Sequence, residues 1–486
     1  REPNKIAWLQ CVGSREINNS GNSYCSSVCC MYAVKEAIIA REHLKHDLDA
    51  AIFFMDMRSC GKDFEKYYKR AKDELGIRFI RSRVHTIETV HGTDDLAIRY
   101  AGENGEMHSE VFDMVVLSTG LQISADLVET ARRLEIEVDL HGFVSSSSVA
   151  PVQTSRKGVY ACGAFTGPKD IPESVMEASA AACAATENLA AARHSQTKKI
   201  TWPPERDVAR ENPKIGVFVC NCGINIGGVV KVPEVVAYAR SLPHVIYAEE
   251  NLFTCSQDTQ NKMTELIHEK GLNRVVVAAC SPRTHEGLFQ ETLSSAGLNK
   301  YLFEMANIRN HDSWVHSHYP QVATEKAKDL VRIAVAKATL LSPLHEMDLP
   351  VHQSALVVGG GIAGMTAALS IARQGYPVHL VEISSVLGGN ATRLNKTYQG
   401  EAVSAFLENL VEEVINHERI TVHFDTTISA VEGFVGNFQA ELATDSAKQK
   451  IDHGVAILAT GAGEYQPREY LYGEHPAVVT HLELDG

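Results

Sequence analysis

The apolar residues of this chain fall into short runs, separated by longer stretches in which apolar and polar residues mix. In the first part of the chain, apolar runs of strand length occupy residues 5–11, 50–55, 77–80 and 111–120. Stretches of helical length occupy residues 28–43, 64–75 and 174–192. Strands that alternate with such helices indicate βαβ units and a parallel sheet. The pattern therefore predicts an α/β fold.

The same pattern starts again at two later points, Lys214 and Ser354. We divide the chain into a first segment of residues 1–193, a linker of 194–213 with a Pro pair, a second segment of 214–343 and a third segment of 354–486. The uncharged run Ser354–Ala372 has the length of a membrane span. Its glycines instead predict a strand that turns tightly into a helix, and we expect no membrane span.

Composition narrows the class of protein. A length of 486 residues suggests about three domains. Lys and Arg number 46 against 60 Asp and Glu, a net charge of −14, and a nucleic-acid-binding protein would show a basic surplus instead. The 11 cysteines are too few for a disulfide scaffold, and their clustering indicates metal ligation in a reducing compartment. We therefore expect a soluble cytoplasmic protein without nucleic acid as a partner.

A glycine-rich turn in the third segment has the pattern of a dinucleotide-binding site. The candidate residues in this turn are Gly359, Gly361, Ala363 and Gly364, after an apolar strand and before a helix-forming run. Such a turn lets backbone N–H groups approach a pyrophosphate at the start of the helix. Glu382 ends the second strand, 18 residues after Gly364, where an acid binds ribose hydroxyls. The alternative interpretation is a purely structural turn.

Two later glycine positions distinguish FAD from NAD. Gly388 and Gly389 follow Glu382 closely, and the run Ile457–Gly461 lies on a later strand. Together they resemble the FAD domain of flavoproteins with two dinucleotide domains. FAD is the cofactor that we predict, with Gly388, Gly389 and Gly461 among its binding residues.

Eight of the cysteines form two candidate metal-binding sets. The first cysteine set is Cys11, Cys25, Cys29 and Cys30, at a strand end and at the start of the next helix. Four thiolates placed there suit a 4Fe–4S cluster, because N–H groups at the helix start offset its negative charge. The alternative is a group of buried free thiols.

The second cysteine set is Cys220, Cys222, Cys255 and Cys280. Cys220 and Cys280 each follow an apolar strand, and parallel strand ends meet at one edge of a sheet. Zinc competes as the metal, since four Cys ligands also suit it. We predict a second 4Fe–4S cluster, and we expect Arg283 and His285, just after Cys280, to tune it.

Several stretches of the chain resemble the motifs of one protein family. The stretches that carry the resemblance are 10–15, 24–31, 167–174, 218–225, 254–258 and 280–286. The chain resembles the A subunit of heterodisulfide reductase, which is the FAD and iron–sulfur component of complexes in anaerobic archaea and bacteria. The resemblance implies Rossmann-like domains of the thioredoxin-reductase type flanking a smaller iron–sulfur domain. It also implies partner subunits of a heterodisulfide-reductase-like complex, with ferredoxin or hydrogenase-type electron partners.

The order of the segments is unusual for that family, in which the part like residues 214–486 precedes the part like residues 1–193. The simplest account is a tandem protein whose junction this chain spans. Alternatively, the first and third segments pair within the chain as a permuted flavoprotein. In either case Gly163, in the run Gly158–Ala164, belongs to the segment that returns to the flavin.

Two functions from different classes follow. The first is an oxidoreductase subunit that relays electrons between FAD, 4Fe–4S clusters and partner subunits. In such complexes the relay extends to flavin-based electron bifurcation. The second is a zinc-stabilised scaffold that binds partner proteins and keeps a vestigial nucleotide-binding fold.

Overall fold

The predicted alternation of strands and helices is present in the computed structural model, which describes residues 2–16 and 21–485. Contacts divide the chain into two units, of which unit 1 contains residues 1–195 and 350–486 and unit 2 contains residues 196–349. Arg1 and Gly486, the outer limits of the first and third predicted segments, lie outside the described residues.

The first segment of unit 1 forms two sheets. Its strands are β1 (Lys5–Val12), β2 (Asp49–Phe54), β3 (Arg78–Arg81), β4 (Thr86–Thr89), β5 (Leu96–Ala101), β6 (Met107–Phe112) and β7 (Met114–Thr119). Its helices are α1 (Cys29–His43), α2 (Phe64–Lys69), α3 (Ala125–Arg133) and α4 (Ile171–Leu189). The order β3-β2-β1-β7 makes a parallel sheet, and β4-β5-β6 makes a small antiparallel one.

The prediction of a single strand at 111–120 is wrong, because β6 and β7 belong to different sheets. Asp113 lies between them, and its carboxylate accepts a hydrogen bond of 3.0 Å from the backbone N–H of Lys5. This contact anchors the chain at the start of β1, so the apolar run is interrupted where it crosses from one sheet to the other.

Unit 2 is built around one parallel sheet in the order β11-β10-β8-β9. Its strands are β8 (Ile215–Cys220), β9 (Val245–Asn251), β10 (Arg274–Ala279) and β11 (Phe303–Asn307). Its helices are α5 (Ile224–Gly227), α6 (Val232–Arg240), α7 (Gln257–Glu269), α8 (Pro282–Ser295) and α9 (Pro320–Thr339). Strands β8 and β10 are buried along their whole length, as their uninterrupted apolar sequences predict. Val208, within the predicted linker, is buried in the same core.

The third segment completes unit 1. Its strands are β12 (Ala355–Val358), β13 (Val378–Val381), β14 (Ile420–His423), β15 (Thr427–Phe434), β16 (Asn437–Ala443), β17 (Lys448–His453) and β18 (Val455–Leu458). Its helices are α10 (Ile362–Arg373), α11 (Val403–Asn416) and α12 (His481–Asp485). The order β14-β13-β12-β18 makes a parallel sheet, and β15-β16-β17 makes an antiparallel one.

The first and third segments pack against each other within unit 1. Helix α4 contacts α10, and Arg373 forms an ion pair of 3.3 Å with Glu187. The hydroxyl of Ser147 donates a hydrogen bond of 2.5 Å to the carboxylate of Glu401. The first and third segments therefore belong to one unit. None of the helices in the described part of the chain is both long enough and apolar enough to cross a membrane.

Candidate functional site

The predicted dinucleotide turn lies at the carboxyl edge of the third segment's parallel sheet. Strand β12 ends at Val358, and α10 begins at Ile362, so the glycines between them form the connection. Strand β12 pairs in parallel with β13 on one side and with β18 on the other. The N–H groups at the start of α10 therefore point out of this edge, where a phosphate group binds best.

The glycines in the turn serve different physical purposes. Gly359 has φ +108°, and a Cβ there would lie 2.3 Å from the carbonyl oxygen of Ala459. A Cβ on Gly364 would lie 1.8 Å from the carbonyl oxygen of Gly359. Both positions need glycine for backbone packing. A Cβ on Gly361, in contrast, would meet no protein atom within 4 Å, so this position borders open space at the helix start, beside the exposed Ala363.

Glu382 is held at the end of the second strand, as predicted. It is buried, and its carboxylate accepts hydrogen bonds from the N–H of Gly360 at 2.6 Å and from that of Ser384 at 2.9 Å. Burial alone would raise the pKa of Glu382, but the hydrogen bonds from Ser384 and Gly360 outweigh it and lower that pKa. A charged carboxylate is thus fixed next to the glycine turn.

The other predicted cofactor residues lie at the same edge, with one exception. The N–H of Gly388 donates to the carbonyl of Gly360 at 2.8 Å, and a Cβ on Gly389 would lie 3.4 Å from the Cα of Gly361. Gly461 follows β18, the strand beside β12. Gly163 belongs to the first segment, where its N–H donates to the carboxylate of Glu177 at 2.8 Å.

A cavity of about 730 Å³ in unit 1 is lined by both of its segments. Tyr398 and Gln399 line it from the third segment, and Lys169 and Glu177 line it from the first. Lys169 and Glu177 form a largely buried ion pair, with 10% and 18% of their side chains exposed. Sequence reasoning missed this pair. The only available signal was the position of Lys169 in the stretch 167–174, which carries part of the family resemblance.

The first cysteine set lies near the end of one strand and at the start of the helix that follows it. Cys11 lies near the end of β1, and Cys29 and Cys30 are the first residues of α1. Burial, together with the negative charge of the other three thiols of the set, raises the pKa of Cys29 to about 11. The Cys29 thiol therefore ionises readily only when positive charge, such as that of a metal centre, is added beside it.

Hydrogen-bond donors surround this set. The N–H of Ser27 donates to the Sγ of Cys25 at 3.4 Å. Arg15 also bonds to the Cys11 thiol, and its guanidinium pairs with Asp56. Cys11 has φ +62°, a left-handed conformation that a residue with a side chain adopts only at a cost.

The second cysteine set gathers at the carboxyl edge of the unit 2 sheet. Strands β8 and β10 pair with Val219 opposite Ala278, so Cys220 and Cys280 leave neighbouring strand ends, as predicted. Cys255 lies just before α7, and burial, followed by the charges of Cys220 and Cys222, raises its pKa. The Sγ of Cys220 accepts hydrogen bonds from the N–H groups of Cys222 at 3.3 Å and Thr254 at 3.4 Å.

An arginine that the sequence analysis did not select lies beside the second set. Arg309 begins a π-helical turn just after β11, and its Nη1 donates to the Sγ of Cys222 at 3.5 Å. Strand β11 pairs with β10, which brings Arg309 to the same sheet edge as Cys280 although 29 residues separate them in sequence. Arg283, which was expected to act here, lies exposed on α8.

The spacing of the thiols bears on the choice of metal. Within residues 2–16 and 21–485, no three or more His, Cys, Asp or Glu side chains are arranged so that they could hold a metal ion. A tetrahedral zinc site needs four sulfurs at about 2.3 Å from one centre. A 4Fe–4S cluster is wider and holds its ligand sulfurs further apart. Among the described residues, neither cysteine set is therefore arranged as a site for a single metal ion.

Two family models match parts of unit 1. Residues 355–460 match the FAD dependent oxidoreductase family. Residues 29–182 match the pyridine nucleotide-disulphide oxidoreductase family. The third and first segments thus carry flavoprotein oxidoreductase domains with a Rossmann-like α/β fold.

Curated relatives match about half of the chain. A protein of Archaeoglobus profundus, named as similar to the heterodisulfide reductase A subunit, is 49% identical over 236 residues, which are 48% of this chain and 34% of that protein. The A subunit of the H2:CoB-CoM heterodisulfide,ferredoxin reductase of Methanothermobacter marburgensis is 45% identical over 260 residues, which are 53% of this chain and 39% of that protein. The chain thus spans little more than a third of the length of these relatives.

Among solved structures, T. acidophilum thioredoxin reductase aligns with 38% of this chain and 52% of its own chain. The two are 18% identical, with a TM-score of 0.26.

Proposed function

We propose that this chain, which over about half of its length is a homologue of the heterodisulfide reductase A subunit, is an oxidoreductase subunit that transfers electrons between FAD and two 4Fe–4S clusters. The observation that carries the proposal is where the cysteines lie: Cys220 and Cys280 follow neighbouring parallel strands, and Cys11, Cys29 and Cys30 lie near a strand end and at the start of the next helix. Each set lies at the carboxyl edge of a parallel sheet. The glycine turn with its buried acid supplies the flavin site in the same chain.

For the flavin, the third segment supplies the binding groups. The N–H groups that begin α10 suit the pyrophosphate, and the open space at Gly361 lets it approach the backbone. The fixed carboxylate of Glu382 suits a ribose hydroxyl, which donates a hydrogen bond to it. When bound, FAD supplies the exchange of one or two electrons.

For the clusters, the cysteine thiolates supply the ligands. The first cysteine set holds one 4Fe–4S cluster, and the second holds another. The N–H groups of Ser27, Cys222 and Thr254 donate to sulfur and offset the negative charge of a thiolate-bound cluster.

The partners follow from the family and from the chemistry. A flavin and two clusters in one chain make a relay that needs an electron donor and an acceptor outside it. We propose that these are other subunits of a heterodisulfide-reductase-like complex in the cytoplasm, with ferredoxin or a hydrogenase-type protein as an electron partner. The Methanothermobacter marburgensis relative carries both H2 and ferredoxin in its enzyme name.

Cysteine substitutions test the ligand sets one at a time. In anaerobically purified protein, Cys29→Ala should remove about four irons per chain and leave the second set loaded, and Cys280→Ala should do the reverse. The matched control is Cys60→Ala, because Cys60 is an exposed thiol outside both sets. Unchanged iron in the first two variants, or zinc in place of iron in the wild type, would refute the proposed ligands.

A further inference from the structure

Each cysteine set has one arginine against a thiol, but the two arginines differ in their surroundings. Arg309 donates to the Sγ of Cys222 at 3.5 Å. Its guanidinium also stacks over the ring of Trp314, 4.8 Å from the ring centroid. Stacking on one side and the thiol on the other fix the position of this charge.

No carboxylate in the described part of the chain forms an ion pair with Arg309. Its positive charge is therefore directed at the thiols. Arg309 contacts the thiol of Cys222, and the pairing of β10 with β11 brings it to the same sheet edge as Cys280.

The arginine of the first set is neutralised in part. Arg15 pairs with Asp56, whose backbone carbonyl oxygen lies 4.0 Å from the Sγ of Cys30. Arg58 reaches Asp56 as well, at 3.6 Å, with 43% of its side chain exposed. Among the described residues, the arginine of the first set is therefore paired with a carboxylate, whereas Arg309 of the second set is not.

Reduction of a thiolate-bound cluster by one electron adds one negative charge, with no bond formed or broken. A nearby fixed positive charge stabilises that added charge, and a nearby negative charge opposes it. We infer that Arg309 is a positioning residue that, through Cys222, raises the reduction potential of the second cluster above that of the first. The inference rests on the proposed function, and it makes the second cluster the stronger electron acceptor of the two.

The test is a redox titration of the anaerobically purified full chain, followed by the electron paramagnetic resonance signal of the reduced clusters. The wild type should show two reduction waves, and Cys280→Ala should remove the one at higher potential. In Arg309→Met, the ratio of reduced to oxidised second cluster at a fixed potential should fall about tenfold, which is about 59 mV for one electron. The wave of the first cluster should stay in place.

Two further variants make the test specific. Arg283→Met removes an exposed charge from the same unit and should move neither wave. Asp56→Asn should move the wave of the first cluster to higher potential and leave the second where it is. If Arg309→Met left the higher wave unmoved, or if Cys280→Ala removed the lower wave, the inference would be overturned.

Iron content separates this inference from the proposed function. A wild-type chain without iron would overturn both, whereas two loaded clusters with an unmoved wave in Arg309→Met would overturn the inference alone. If Arg309→Met lost iron, the Arg309→Lys variant would show whether the site needs only the positive charge or the arginine itself. Iron and potential both retained in Arg309→Lys would support the role of the charge, and iron lost there too would refute it, because Arg309 would then be needed for folding of the site.

Discussion

Gly361 is a glycine that FAD binding requires and that folding does not. Its φ of −76° is accessible to any residue, and a Cβ there would meet no protein atom within 4 Å. The fold does not need glycine at this position. A pyrophosphate that approaches the start of α10 does need it, because a Cβ would occupy the space between the phosphate and the backbone.

Gly361→Ala should therefore separate stability from cofactor binding. We expect the free energy of unfolding without FAD to change by less than about 0.5 kcal/mol, and the Kd for FAD to rise at least about tenfold. Denaturant titration and fluorescence titration with FAD measure the two effects. Gly287→Ala, at an open and exposed position in α8, should leave the Kd unchanged. Unaltered FAD binding in Gly361→Ala would contradict the placement of the pyrophosphate.

The buried carboxyl group of Asp312 should make the free energy of unfolding depend on pH. Its side chain is fully buried, and neither carboxylate oxygen has a hydrogen-bond partner among the described residues. Burial raises the pKa of Asp312 to about 6 from an ordinary 3.8, although the charge of Lys326 acts in the opposite direction. The folded protein therefore binds a proton at Asp312 that the unfolded chain releases at lower pH. As a result, stability is retained below about pH 4 and lost as the pH rises through 6.

Asp312→Asn should remove this pH dependence. Relative to the variant, the wild type should lose roughly 2.4 kcal/mol of unfolding free energy between pH 4 and pH 8. Thermal unfolding of both proteins across that range measures the difference. Asp348→Asn, at an exposed position of the same unit, serves as the control. Parallel pH profiles for wild type and Asp312→Asn would show that Asp312 is ionised in the folded state without cost.

Sequence reasoning at this scale placed residues correctly where their position depends on local structure. The glycine turn with Glu382 depends on one strand–turn–helix unit and the next strand, so its spacing is visible in the sequence. Arg309 was missed because its contact with Cys222 depends on the pairing of β10 with β11. Proximity in sequence favoured Arg283 instead, and α8 leaves that residue exposed.

At the scale of elements, the packing of α4 on α10 connects the two parts of the proposed flavin site. FAD that binds only the folded form should stabilise the whole unit to which these helices belong. At a concentration of about 100 times its Kd, the stabilisation is about 2.7 kcal/mol.

Hydrogen exchange should reveal this coupling. Added FAD should slow exchange in both α4 and α10, by up to about a hundredfold for amides that exchange only when the unit opens. Helix α7, in the separate core of unit 2, serves as the control and should change little. Protection of α10 without protection of α4 would contradict the joining of the two segments around one flavin.

The sequence predicted the buried elements better than the exposed ones. The apolar strand predicted just before Cys280 is present as β10, because a strand buried on both faces has an almost unbroken apolar sequence. The antiparallel strands β15 and β17 were missed, since most of their residues are exposed and their polar sequences lack such a run. At residues 111–120, the mostly apolar sequence does not reveal that the chain passes from one sheet to another at Asp113.

At the scale of the whole molecule, the order of the chain and the order of its units differ. Residues 1–195 and 350–486 form one unit although 154 residues of unit 2 separate them in sequence. The sequence suggested this pairing only as an alternative to a tandem junction, because segment order alone does not show which surfaces meet. The ion pair of Arg373 with Glu187 and the bond of Ser147 to Glu401 are long-range contacts of this kind.

The central claim is that one chain holds a flavin and two 4Fe–4S clusters. The most direct measurement is the content of iron, acid-labile sulfide, zinc and flavin in the anaerobically purified wild-type chain. The account predicts about eight irons, about eight sulfides and one FAD per chain, with a brown protein whose visible spectrum bleaches on reduction. A colourless protein with about one zinc for each cysteine set and no flavin would contradict it and would favour a zinc-stabilised scaffold.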